Sequence, residues 1–163
     1  MEVRTINPTD CAYIAGLVDG EGTVTLVRKH RNENRQLSLS ISSTERHLLE
    51  FVKDTVGAGK ITTKRIARQH HSPSFTYAIY NRQAIALLRQ ICRFLRGYKA
   101  QRAELILNCY LAVTPRNGKY SDELRERKTA FEAAVLEIVA NHPGTEQPEA
   151  EGASLDPIAP SGC

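Results

Sequence analysis

Two carboxylates, Asp19 and Glu21, flank Gly20 in the run Ile14-Ala15-Gly16-Leu17-Val18-Asp19-Gly20-Glu21-Gly22. The residues before them carry helical periodicity, and acids at a helix C-terminus oppose the macrodipole unless something positive binds there. On its own the Asp-Gly-Glu-Gly ending can equally be a turn, so its chemistry depends on its surroundings. The histidines point to no general base. His70 and His71 fall at a hairpin tip, His30 and His47 flank loops, and no His-Glu-x-x-His pair or clustered His/Asn set occurs. Cys11, Cys92, Cys109 and Cys163 are far apart and form no Cys-x-x-Cys, which argues against a zinc site and against a disulfide framework. Three of them lie in apolar helical patterns, where a free thiol acts as a small hydrophobe. That usage fits a reducing, intracellular compartment, whether cytoplasm, nucleoid or organelle.

The elements that must position the acids can be read from capping and periodicity. Asn7-Pro8-Thr9-Asp10 starts a helix, with Asn7 as N-cap and Pro8 at the first helical position. This helix runs to about Asp19, and Tyr13, Ile14, Leu17 and Val18 form its apolar stripe. Its neighbouring face is small: Ala12, Ala15, Gly16 and Gly20. A glycine inside a helix costs about 1 kcal/mol relative to alanine, so two of them imply the close approach of another helix, from the same chain or from a second one. Strand-like runs 23–30 and 36–43 follow as a hairpin. Thr44 caps a helix carrying Leu48, Leu49, Val52 and Val56. Runs 60–68 and 75–80 form a second hairpin, and Asn81 caps a third helix. A fourth spans 99–113, and Ser121 opens a last one with Leu124, Phe131, Val135 and Ile138. The order α-ββ-α-ββ-α-α-α predicts an α+β domain with one four-stranded antiparallel sheet.

Alternation along the strands gives that sheet two unlike faces. Val24, Leu26, Leu37, Leu39, Ile41, Ile61, Phe75, Tyr77 and Ile79 point inward. The opposite face carries Thr23, Thr25, Val27, Lys29, Gln36, Ser38, Ser40, Ser42, Lys60, Thr62, Lys64, Ser74, Thr76 and Ala78, with hardly a carboxylate. An ordinary solvated face mixes both signs of charge. Hydroxyls and amides that donate and accept, together with Lys and Arg, suit base edges and phosphates, and a β-ribbon fits the DNA major groove. Arg31, Arg35, Arg65 and Arg68 flank the strands and add contacts at their ends.

Bulk charge agrees. The 163 residues carry 22 Lys and Arg against 18 Asp and Glu, a net charge of +4. The stretch 143–163 holds four acids, four prolines and no Lys or Arg, and it reads as a disordered tail on a domain of residues 1–142. Without those four acids, 22 basic residues face 14 acidic ones, a net charge of +8. No run of about eighteen apolar residues and no signal-peptide core is present, so no membrane association is expected.

The 14–22 run resembles the LAGLIDADG signature of homing endonucleases. It keeps Ala-Gly at the second and third positions, both acids and the last glycine. It departs by Ile for Leu, Val for Ile, Gly for Ala, and Glu for the second Asp. The element order fits the same family over about residues 8–113. A single motif copy implies a homodimer, with the signature helices packed at the two-fold axis through Ala12, Ala15, Gly16 and Asp19. The resemblance implies cleavage of a long, near-palindromic DNA site at an intron insertion point, with 3′ overhangs. Glu21 matches the acid that binds the divalent metal, with the Gly20 carbonyl beside it. The implied ion is Mg²⁺, and Mn²⁺ or Ca²⁺ can occupy the same place. Lys99 falls where a basic residue enters the family's active site, and Arg102 lies one turn on. Glu45, or Thr44, takes the place of a polar residue after the second strand, where glutamine is usual. Two further functions use the same scaffold: an RNA-binding intron maturase and a DNA-binding regulator that does not cut.

Overall fold

The first helix forms where the cap signals put it. In the computed structural model, which describes residues 2–28, 30–31, 33–63 and 73–140, α1 spans Pro8–Glu21 and Asn7 accepts the Asp10 N–H at 2.9 Å. The order continues β1 (Gly22–Val27), β2 (Gln36–Ser43), α2 (Arg46–Val56), β3 (Lys60–Thr63), β4 (Phe75–Tyr80) and α3 (Asn81–Ile91). After a short 3₁₀ turn come α4 (Gly97–Cys109) and α5 (Asp122–Glu137). This is the expected α+β order. The strands form one sheet, β1-β2-β4-β3, with every neighbouring pair antiparallel.

The inward face of the sheet is the core. Val24, Leu37, Leu39, Ile41 and Tyr77 are fully buried, and each such aliphatic side chain contributes about 1.5–3 kcal/mol by leaving water. Tyr77 keeps its hydroxyl satisfied by donating to the Ala58 carbonyl at 2.9 Å. The helices cover this face with Ile14, Val18, Leu49, Val52, Leu87, Leu88 and Ile106. Among the described residues no helix is long and apolar enough to cross a membrane.

Several local expectations shift. The buried stripe of α1 is Cys11, Ile14, Ala15 and Val18, with 3- and 4-residue spacing. Tyr13 lies off it, 48% exposed, and meets Phe51 edge-on at 5.6 Å. Thr44 is not the cap of α2: the cap position belongs to Glu45, whose N–H is taken by the Ser43 hydroxyl at 3.0 Å. Nor does Asn81 cap α3; it is the first residue of that helix, at φ 51°. Asparagine suits both a cap and the left-handed region, so the sequence signal was genuine but ambiguous. Ser121 does cap α5, accepting the Leu124 N–H at 3.2 Å. The fourth helix begins at Gly97 and ends at Cys109, earlier than expected at both ends. The outer part of the expected third strand and the stretch 143–163 lie outside the described residues.

Gly22 occupies the tightest junction. A Cβ there would lie 2.6 Å from Val18 Cα and 3.0 Å from the Ser40 carbonyl oxygen. Space, not backbone angle, therefore demands glycine where α1 turns into β1.

Candidate functional site

The end of α1 gathers the chemistry. Glu21 closes the helix and is exposed, and Gly22, the next residue, pairs with Ile41 in the sheet. The carboxylate therefore stands at the inner end of the hairpin formed by β1 and β2. Behind it Lys99 is only 7% exposed, and its ammonium donates to the carbonyls of Val18 at 2.9 Å and Asp19 at 2.8 Å. A helix leaves its last carbonyls without intrahelical partners and carries negative potential there, so a cation is well placed. Burial lowers the Lys99 pKa, and the charges of Asp19 and Glu21 pull it back up. Asp19 is half-buried, and its Oδ2 accepts the Arg96 N–H at 2.8 Å, which seats the turn before α4.

Among the described residues no group of three or more His, Cys, Asp or Glu side chains could cage a metal. What one chain offers is the Glu21 carboxylate, with the Gly20 carbonyl next to it. That sparse oxygen set fits Mg²⁺, which keeps several waters and takes further oxygens from phosphate.

The other two catalytic candidates stand apart from Glu21, with no hydrogen bond or ion pair to it among the described residues. Glu45 is exposed at the start of α2, its Oε2 3.2 Å from His47 Nε2. Arg102 is buried and structural: Nε donates to the Ile138 carbonyl at 2.6 Å, and one terminal nitrogen to the Val24 carbonyl at 3.2 Å. Its guanidinium also lies 5.2 Å from the Tyr98 ring centroid. These contacts tie the guanidinium to β1 and to the segment after α5.

The small face of α1 is open in part. Ala12, Gly16 and Gly20 are exposed, and a Cβ on either glycine would meet nothing within 4 Å. Ala15, expected on that face, is instead fully buried in the chain's own core. Of the expected small face, the 12-16-20 line is what stays exposed.

On the sheet's outer face Thr23, Lys60 and Thr62 are exposed, and Thr25, Val27, Gln36, Ser40, Ser42, Ser74 and Thr76 are half-buried. Ser38 and Ala78 also lie on this face but are covered, at 6% and 9% exposure. They are small residues on the two central strands, overshadowed by taller neighbours. Ser42 and Thr76 share a hydroxyl hydrogen bond of 2.9 Å across β2 and β4. Arg31 is exposed in the connecting loop. Arg35 is half-buried and tied inward: its N–H reaches Glu132 Oε1 at 3.1 Å and its guanidinium reaches the Leu26 carbonyl at 3.3 Å. Lys29, Lys64, Arg65 and Arg68 lie outside the described residues. One outer-face residue escaped the sequence reading. Tyr80, 41% exposed, pairs with Ser38, and the alternation Thr76, Ala78, Tyr80 already contained it.

Helix end, open glycine line and polar sheet face together define a class of protein: an α+β scaffold whose acidic helix terminus adjoins a broad polar β-surface. The chain belongs to the LAGLIDADG-like domain family, whose model matches residues 8–98. In three dimensions it is similar to the homing endonuclease I-CvuI in complex with its target in the presence of 2 mM Ca. That match has a TM-score of 0.66 and 15% identity over 85% of this chain and 87% of that one. The archaeal intron-encoded homing endonuclease I-Vdi141I complexed with DNA matches with a TM-score of 0.55 and 15% identity, over 85% and 89% of the two chains. The LAGLIDADG homing endonuclease I-GzeII in complex with its DNA target gives 0.58 and 17%, over 91% of this chain and 55% of that one. At such identities the likeness is one of fold. No curated protein sequence matches the chain.

Proposed function

We propose that the protein is a site-specific DNA endonuclease that works as a homodimer on a long, near-palindromic duplex and leaves 3′ overhangs. The observation that carries this is the exposed Glu21 carboxylate, set where α1 meets the sheet with the buried Lys99 ammonium behind it. Glu21 and the Gly20 carbonyl would hold a divalent cation, Mg²⁺ first and Mn²⁺ or Ca²⁺ in its place. Such an ion supplies the Lewis acidity that phosphodiester hydrolysis needs. Lys99 keeps the last turn of α1 in register, so that the carboxylate is presented at a fixed position. The outer face of the sheet lies along the groove through its hydroxyls, amides and lysines. The open Ala12-Gly16-Gly20 line lets two copies of α1 cross closely, which places one Glu21 near each scissile phosphate. The family membership supports the reading, as do the DNA-bound states of the similar structures.

Cleavage of a randomised or intron-insertion-site library with Mg²⁺ tests it. The expected result is a discrete double-strand product from the natural chain, with Glu21→Gln still binding DNA but cutting at least about a hundredfold more slowly. Glu21→Gln cutting at full rate would sink the mechanism. Sequence-selective binding by the natural chain without any cutting would favour the regulator.

A further inference from the structure

Among the described residues Asn81 is the one non-glycine residue with positive φ, 51°. It sits where β4 passes into α3, and the strained backbone brings its carboxamide between two other side chains. The Tyr110 hydroxyl donates to Asn81 Oδ1 at 2.9 Å, and Asn81 Nδ2 donates to Gln36 Oε1 at 3.1 Å. The chain of bonds begins at its buried end. The Leu37 backbone N–H, which can only donate, reaches the Tyr110 oxygen at 3.2 Å. Tyr110 in turn donates its hydroxyl hydrogen bond to the Asn81 side-chain oxygen, and the Asn81 amino group donates to the Gln36 side-chain oxygen. Tyr110 is well anchored, 1% exposed and packed edge-on to Phe131. Gln36 stands on the outer face of the sheet, opposite Val27 in the register. With its oxygen engaged, the group it offers outward is an amide nitrogen, a donor only.

We propose that the Tyr110–Asn81–Gln36 relay fixes Gln36 as a hydrogen-bond donor in DNA readout. The protein then selects guanine, which shows two acceptors in the major groove, against cytosine, which shows a donor. One such position occurs in each half-site. The inference rests on the DNA-binding reading above and adds the polarity of one contact to it.

Selection of bound duplexes from a randomised library by the full-length protein tests both levels. The natural chain is expected to prefer guanine by about fivefold at one position per half-site, the selectivity of a single net hydrogen bond. Gln36→Ala identifies that position by losing the preference. Asn81→Asp keeps a residue that tolerates positive φ but can only accept, so Gln36 must turn its amino group inward and its oxygen outward. The preference at that position should then change to cytosine or adenine, whose exocyclic amines donate. Tyr110→Phe frees the relay and should level the preference without inverting it, which covers the case of an unfolded Asn81→Asp protein. An Asn81→Asp protein that folds and still selects guanine overturns the relay while leaving DNA binding intact. A natural chain that enriches no sequence overturns both.

Discussion

Replacing Lys99 by methionine separates the structural work of this residue from its place in the proposed site. Methionine keeps the apolar stem and removes the ammonium. Two hydrogen bonds disappear, to Val18 and Asp19, but they are not equivalent. The Val18 carbonyl also accepts the Gly22 N–H, so it keeps a partner, whereas Asp19 loses its charged donor. A hydrogen bond from a charged group is worth about 1.5–3 kcal/mol net, and the cation at the helix end adds about 0.3–1 kcal/mol. Relief from burying the ammonium offsets part of this, so a loss of about 1–2 kcal/mol at pH 7 is expected. Urea unfolding should show a midpoint lower by roughly 0.5–1 M with an unchanged slope, given slopes of about 1–3 kcal/mol per M. The pH dependence has a definite sign. The folded Lys99 pKa lies below its unfolded value of 10.5, so between the two the unfolded chain binds more protons. The natural chain therefore gains stability relative to the methionine variant as pH rises through that window. An equal or higher midpoint for the variant at pH 7, or a difference that shrinks as pH rises, would refute this account of the helix end.

Two glycine substitutions should act in opposite ways. Gly16→Ala meets open space in the single chain and improves helix propensity, so the monomer should gain about 0.5–1 kcal/mol in thermal or urea unfolding. If two α1 helices cross on that line, the same change weakens the dimer, which sedimentation across a concentration series would register. Gly22→Ala forces a Cβ against Val18 Cα and should cost about 1–3 kcal/mol in the same unfolding assay. A neutral outcome at Gly22 would mean that the helix–strand junction yields more easily than its geometry indicates.

The elements were legible because their signals are local. Asn7 and Ser121 cap helices by contacts spanning three residues, and the two-residue alternation from Gln36 to Ser43 survives intact as β2. The motif located Glu21 at the end of α1, and the element order located Lys99 just beyond the third helix, where its ammonium meets the end of α1. What escaped depends on contacts between distant segments. Periodicity alone does not say that Ala15 rather than Tyr13 turns inward, since that rotation is set by how α1 sits on its neighbours. Arg102 looked like a second cation beside the site because the carbonyls of Val24 and Ile138, which claim it, lie 78 and 36 residues away. Asn81 looked like a cap because its side chain's true partners, Gln36 and Tyr110, are 45 and 29 residues away.

The arginines at the rim of β1 have a further consequence. This strand lies at one end of the sheet, and the carbonyls of Val24 and Leu26, two residues apart and so directed to the same side, accept from Arg102 and Arg35. Unpaired strand carbonyls are the template on which a foreign strand can add. Here two guanidiniums already occupy them, and the helices that carry Arg102 and Glu132 lie alongside. The sheet is thereby guarded against lengthening at that border, which disfavours association of copies strand to strand along β1.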